Sequence, residues 1–168
     1  MRVSYDARER RIDLEQGEAL FEVAKRPDWP FVVHAGGREI AALGTSFMVR
    51  RDEQSVVVTL MTGKVAITPK EQVEPFVLSP GQRLSIANAG PLKLDRPKLE
   101  RVTAWKNGRV VLDDTPLSEA VEEVNHYSHQ RILLDDPSLA GIRVSGIFIA
   151  GDSTNFAQAV AKAYGLYV

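Results

Sequence analysis

Cysteine is absent from the 168 residues of this chain, which excludes a disulfide framework, a thiol nucleophile and a thiolate metal site. An excess of charge of either sign is absent as well: 21 basic side chains stand against 22 acidic ones, for a net charge of -1. That balance argues against a protein whose main task is to hold nucleic acid phosphates or an anionic membrane surface. No apolar run approaches the roughly 18 residues of a membrane span. Met1-Arg2-Val3-Ser4 leads straight into polar sequence, without the pattern of a signal peptide. Aromatic residues make up 7% of the chain, and its two tryptophans, Trp29 and Trp105, are far apart in sequence, which weighs against a carbohydrate-binding platform of clustered aromatics. What the chain does have is 44% hydrophobic residues, enough for a core, so a folded, soluble object is expected. Taken alone, the composition suits the cytosol.

To about residue 95, short apolar runs broken by turn residues carry an all-β signature. Arg11-Ile12-Asp13-Leu14, Leu20-Phe21-Glu22-Val23 and Gln82-Arg83-Leu84-Ser85-Ile86 alternate, so one sheet face should be apolar and the other wet. Phe31 to Ala35 and Arg38 to Leu43 flank Gly36-Gly37, a pair suited to the positive φ angles of a two-residue hairpin. Further strands are expected at Phe47 to Arg50, Ser55 to Met61, Lys64 to Thr68 and Pro75 to Leu78, with a polar loop from Pro69 to Glu74. About ten such strands suggest two packed antiparallel sheets or a rolled meander. Asn88 to Pro97 is rich in Gly, Pro and charge and reads as a linker closing a first domain at residue 97.

Residues 98–168 change period. Arg109 to Leu112 reads as a strand, Thr115 as an N-cap and Pro116 as the first helical residue. Leu117, Ala120, Val121 and Val124 then recur at helical spacing up to about Ser128. Ile132-Leu133-Leu134 and Ile142 to Phe148 are expected as strands. Asp152 or Ser153 can cap a second helix that Gly165 stops, and Leu166-Tyr167-Val168 is expected as a last strand. The order βαββαβ describes a small α+β module beside the β domain.

Reactive constellations are few. Gly44-Thr45-Ser46-Phe47-Met48 and Gly151-Asp152-Ser153-Thr154-Asn155 each lack the second glycine of a serine nucleophile elbow. His126 and His129 could share a helix face with Asp135 or Asp136 as a third metal ligand. Histidines near a helix C-terminus are also favoured by the helix dipole in solvent, and no metal or cofactor is expected. Gly36-Gly37 lacks the pattern of a phosphate-binding loop. Binding is favoured over catalysis.

Five segments, Gly17 to Val23, Pro30-Phe31-Val32-Val33, Leu43-Gly44-Thr45-Ser46-Phe47, Gly63-Lys64-Val65 and Leu78 to Gln82, together resemble the FecR domain of iron-siderophore transmembrane regulators. Trp105, Leu112-Asp113-Asp114-Thr115-Pro116-Leu117, Asn125-His126-Tyr127-Ser128 and Val144-Ser145-Gly146-Ile147-Phe148 resemble the C-terminal part of the same proteins, which is similar to the short secretin and TonB N-terminal (STN) module. The resemblance implies a periplasmic portion of a single-pass inner-membrane anti-sigma regulator, which controls an extracytoplasmic-function sigma factor. Its partner would be the N-terminal signalling domain of a TonB-dependent outer-membrane siderophore transducer. The sigma-binding helices and the span of that family would lie upstream of Met1. Alternatives are a cell-envelope carbohydrate-binding β domain and a secretin-like structural module.

A receiver of this type needs a complementary surface, and a small module with open strand edges can bind by β-augmentation. The candidate partner-binding residues are Val110 and Leu112 on the first strand of the module and Leu117, Val121 and Val124 on the following helix; the same spacing also suits a core. Some members of the family that the chain resembles cleave themselves at a Gly-Thr bond. Gly44-Thr45 is the corresponding pair here, since a threonine hydroxyl can attack the preceding carbonyl where glycine leaves the approach open.

Overall fold

Alternation in the sequence becomes alternation of burial in β2 (Arg10–Leu14), where Arg10, Ile12 and Leu14 point inward and Arg11 and Asp13 outward. The same rule builds β5 (Arg38–Ala42) and β8 (Val65–Thr68). The computed structural model describes residues 1–68, 74–88 and 91–168, so all of the expected Pro69 to Glu74 loop except Glu74 lies outside the described residues. The chain divides into two compact units, Met1–Pro97 and Lys98–Val168.

The first unit contains two sheets. One has the order β1-β2-β4-β5-β8-β9, with β1 (Arg2–Tyr5), β4 (Phe31–Ala35) and β9 (Phe76–Leu78). The other has the order β11-β10-β7-β6-β3, with β3 (Gly17–Glu22), β6 (Ser46–Arg51), β7 (Ser55–Thr62), β10 (Arg83–Ala87) and β11 (Leu92–Asp95). The apolar residues of both build one core in which Phe21, Phe31 and Phe47 meet ring to ring, with Phe21 and Phe47 centred 5.3 Å apart. Gly36 and Gly37 take φ of 56° and 74°, the left-handed pair that joins β4 to β5 in a two-residue turn. Arg38 staples that turn across the sheets: its guanidinium donates to the carbonyls of Gly36 at 2.8 Å and of Ala87, at the end of β10, at 3.2 Å.

Three features differ from the sequence-based expectation. The pair β2–β4 is parallel, because the chain leaves the first sheet after β2, runs through β3 in the second and returns in the original direction. The linker contains β11, which pairs antiparallel with β10 and carries the Arg83–Asp95 ion pair at 2.5 Å. Its side chains lie outside the core, so it has no buried alternation to read. The same holds for β1, all four residues of which are exposed.

The second unit opens with α1 (Leu99–Val102) and a 3-10 turn, Ala104–Asn107. Then follow β12 (Arg109–Pro116), α2 (Leu117–Tyr127), a second 3-10 turn (Pro137–Gly141), β13 (Arg143–Ile149) and α3 (Ser153–Tyr164). β12 and β13 form an antiparallel pair, irregular between Leu112 and Thr115, and both helices contribute to one apolar core. Asp152 caps α3, its carboxylate accepting from the Asn155 N–H at 3.0 Å, and Gly165 ends it in the left-handed conformation, φ 67°.

The βαββαβ order is corrected here. Residues 132–134 and 166–168 are in no strand. Asn125 on α2 takes both backbone groups of Ile132, accepting its N–H at 2.8 Å and donating to its carbonyl at 2.9 Å, and the Leu166 N–H closes back on the Ala161 carbonyl. Local partners thus take the backbone groups of Ile132 and the Leu166 N–H, which a ladder would have used. Thr115 is not an N-cap: it ends inside β12, its hydroxyl accepting from Arg101 at 2.9 Å, and Pro116 precedes the first helical residue. Among the described residues no helix is long and apolar enough to cross a membrane.

Candidate functional site

The β12 edge is closed on both sides. β13 takes one side. On the other, Arg101 of α1 donates to the Val111 carbonyl at 3.0 Å and the Asp113 carbonyl at 3.4 Å. Lys98 pairs with Asp113 at 2.5 Å, and that hydrogen bond, with the charge of the ammonium, holds the Asp113 carboxyl below the usual carboxylate range. The pair is exposed and contributes little stability.

The five residues expected to meet a partner lie inside. Val110, Leu112, Leu117, Val121 and Val124 are each between 1% and 6% exposed and belong to the core of the second unit. Their helical and strand spacing points to the inner face of an amphipathic layer, so as contact residues they are corrected to core residues. Outward apolar residues of the same unit include Ile147 and Ile149 on β13, 64% and 63% exposed, and Leu133, 81% exposed. The signal for the two isoleucines was present: they alternate with Val144 and Phe148, which pack inward.

Opposite the β12–β13 pair, α2 and α3 leave a groove of about 760 Å³, floored by Leu117, Val121, Phe156 and Val160 and walled by residues 130–136 and 166–168. Along the first wall exposure alternates: Arg131 and Leu133 face solvent, while Ile132 and Leu134 pack partly onto the core. At its end the exposed Asp136 caps the second 3-10 turn, its carboxylate accepting from the Ser138 N–H at 2.8 Å, and hydrogen bonding to Ser138 lowers its pKa.

His126 and Tyr127 pack edge to face at 4.8 Å, and among the described residues no group of three or more His, Asp or Glu is placed to hold a metal. Trp29 donates its indole N–H to the Asp6 carbonyl at 2.7 Å and lies against Arg10, whose guanidinium stands 5.5 Å from the ring centre. It serves the packing of the first unit.

The Gly44–Thr45 bond sits at the entry to β6, beside the register shift between Ser46 and Phe47. Gly44 has φ 65°. Thr45 is buried, its carbonyl accepts from the Val23 N–H at 2.8 Å, and its hydroxyl has no hydrogen-bond partner. Gly63 presses on the pair so closely that a Cβ built there would stand 2.7 Å from the Gly44 carbonyl oxygen.

Residues 1–66 match the family model of the FecR protein. Two crystal structures of a candidate anti-sigma factor from Parabacteroides distasonis ATCC 8503 share the fold, with TM-scores of 0.76 and 0.75 at 24% sequence identity, each over 96% of this chain and 76% of that one. No curated protein matches the sequence. At this identity the likeness to the two structures concerns the fold, and it runs through both units. Residues 1–66, the part that the FecR model matches, make up most of the two-sheet unit.

Proposed function

We propose that this chain is the signal-receiving region of an anti-sigma regulator, with a FecR-type β module in residues 1–97 and an STN-like module in residues 98–168. The observation that carries the reading is the FecR match over residues 1–66 joined to a fold likeness, along 96% of the chain, with a structure described as an anti-sigma factor. On this reading the region lies in the periplasm, on a single-pass inner-membrane protein whose sigma-binding part is elsewhere in the polypeptide. It binds the N-terminal signalling domain of a TonB-dependent outer-membrane siderophore transducer. Val110, Leu112, Leu117, Val121 and Val124 serve it as the core that sets the shape of the receiving module.

Isothermal titration of the chain with the signalling domain of its cognate transducer is expected to give saturable one-to-one binding. A flat titration, repeated as an empty pull-down, overturns the reading.

The Gly44–Thr45 geometry supports a further element of that function, self-cleavage. The Thr45 hydroxyl is buried and has no hydrogen-bond partner among the described residues, and it belongs to the residue that follows the Gly44 carbonyl. In the cleavage step Thr45 Oγ1 attacks that carbon, the amide C–N bond breaks, and the hydroxyl proton passes to the released amine. Water then hydrolyses the resulting ester, leaving a Gly44 carboxylate and a Thr45 amino terminus. Mass spectrometry of exported protein should show the two fragments, and Thr45→Val should abolish them; an intact chain, or fragments that persist in the variant, removes self-cleavage from the function.

A further inference from the structure

We propose that the mouth between the two sheets at Arg38 and Arg51 is a binding site for a carboxylate, held on the free edge of the Arg51 guanidinium. The inference concerns the β unit alone and is independent of the receiver reading above.

Position sets the pair apart. Arg38 opens β5 at an inward-facing place, in step with the buried Ile40 and Ala42, and Arg51 closes β6 in step with the buried Phe47 and Val49. Each sheet thus brings one cation to the same end of the core. They meet at Gly36: the point that a Cβ would occupy there is 2.9 Å from Arg38 Nη1 and 3.1 Å from Arg51 Nε. Burial and the charge of Arg51 lower the Arg38 pKa, but a guanidinium does not give up its proton in a protein, so both charges remain.

Among the described residues no carboxylate answers them. Arg38 is 7% exposed, and its donors go to neutral acceptors, the carbonyls of Gly36 and Ala87 and the side-chain oxygen of Asn88 at 3.4 Å, while its Nε has no hydrogen-bond partner. Arg51 donates through Nη1 to the carbonyls of Asp52 and Ser55. The adjoining Asp52 turns its carboxylate to its own turn, accepting from the Gln54 N–H at 2.9 Å and from the Ser55 N–H and hydroxyl, both at 2.7 Å. Other arginines of the unit are compensated: Arg11 and Arg83 pair with Asp13 and Asp95, and the buried Arg10 lies over the rings of Trp29 and Phe31. A buried charge without such compensation is costly, and a bound anion relieves that cost.

The free edge selects the ligand. Nε and Nη2 of Arg51 make no hydrogen bond among the described residues, and this is an edge whose two parallel N–H groups match the two oxygens of a carboxylate. Arg51 is half-buried, so part of it faces solvent, and Gly36, beside its Nε, has no side chain to fill the place. The nearby Arg38 charge adds its attraction in a partly desolvated setting. A spherical anion such as chloride matches the charge and not the fork.

NMR titration of the isotope-labelled full chain with sodium acetate, at an ionic strength held constant with sodium chloride, follows the arginine Nε–H signals and the Gly36 and Gly37 amides. Saturable shifts of the Arg51 Nε–H and of the Gly36 amide are expected. Arg51→Lys keeps the charge but lacks the fork, and should weaken acetate binding at least about tenfold. A parallel titration with an aspartate-containing peptide of blocked termini identifies the source of the carboxylate: tighter binding than acetate assigns the site to a side chain of a partner protein, and an affinity no better than acetate assigns it to a free carboxylate. Shifts that never saturate, or equal acetate affinity in the wild-type chain and Arg51→Lys, overturn the site. An Arg51 Nε–H signal that stays fixed in the wild-type chain overturns it whatever the variant does.

Discussion

Phe156→Ala should unfold the second unit while the first remains native. Phe156 is fully enclosed, its ring packed edge to face against Phe148 at 4.8 Å, and removal of a buried phenylalanine costs about 3–5 kcal/mol. Lys98–Val168 is short, and a single core of that size rarely supplies more than about 3–5 kcal/mol net. The loss is therefore of the order of the whole stability of the unit. Amide NMR provides the measurement: resonances of residues 98–168 should collapse to the narrow dispersion of an unfolded chain, and those of the β unit should keep theirs. A second unit that stays dispersed, with a melting point near the wild-type value, would show that its core does not depend on this ring.

Gly63→Ala is expected to be the most damaging glycine substitution in the β unit. A methyl there would lie 2.7 Å from the Gly44 carbonyl oxygen and 2.7 Å from Thr45 Cγ2, and the backbone has φ 87°. The left-handed conformation costs an L side chain roughly 1–2 kcal/mol, and forcing a methyl into a packed site adds typically about 1–3 kcal/mol. The sum is about 2–5 kcal/mol. Gly17→Ala isolates the first contribution, because Gly17 has φ 97° but no atom within 4 Å of its Cβ position. Urea denaturation of the two variants should separate them by the packing contribution. Equal losses would mean that the Gly44–Thr45 segment moves aside freely, which would also remove the reason to regard it as held in place by Gly63.

Much of the local structure was legible because its causes lie within a few residues. Gly36-Gly37 announced the β4–β5 turn, Asp152 and Gly165 the two ends of α3, and Leu117, Ala120, Val121 and Val124 the buried face of α2. Strand edges were harder. β1 and β11 lie at the margins of their sheets with exposed side chains, so neither shows a buried period. Ile132-Leu133-Leu134 has the composition of a strand, yet both backbone groups of Ile132 go to Asn125, seven residues away on the preceding helix. A side-chain amide that substitutes for a neighbouring strand leaves no trace in hydrophobic spacing.

The candidate contact surface divides in the same way. Spacing located an amphipathic layer at Val110, Leu112, Leu117, Val121 and Val124, but the pattern is the same whether the apolar face meets a partner or the rest of its own unit. By itself the sequence determined the strand and helix periods, the hairpin glycines, the helix caps and the resemblance to FecR, all of which are short-range patterns or ordered motifs. Only the tertiary structure decided which sheet each strand joins, the parallel course of β2 and β4 and the closure of the β12 edge by Arg101. The physical reason is distance along the chain: contacts such as Arg38 with the Ala87 carbonyl, 49 residues apart, depend on how the whole unit closes, and local sequence carries no record of them.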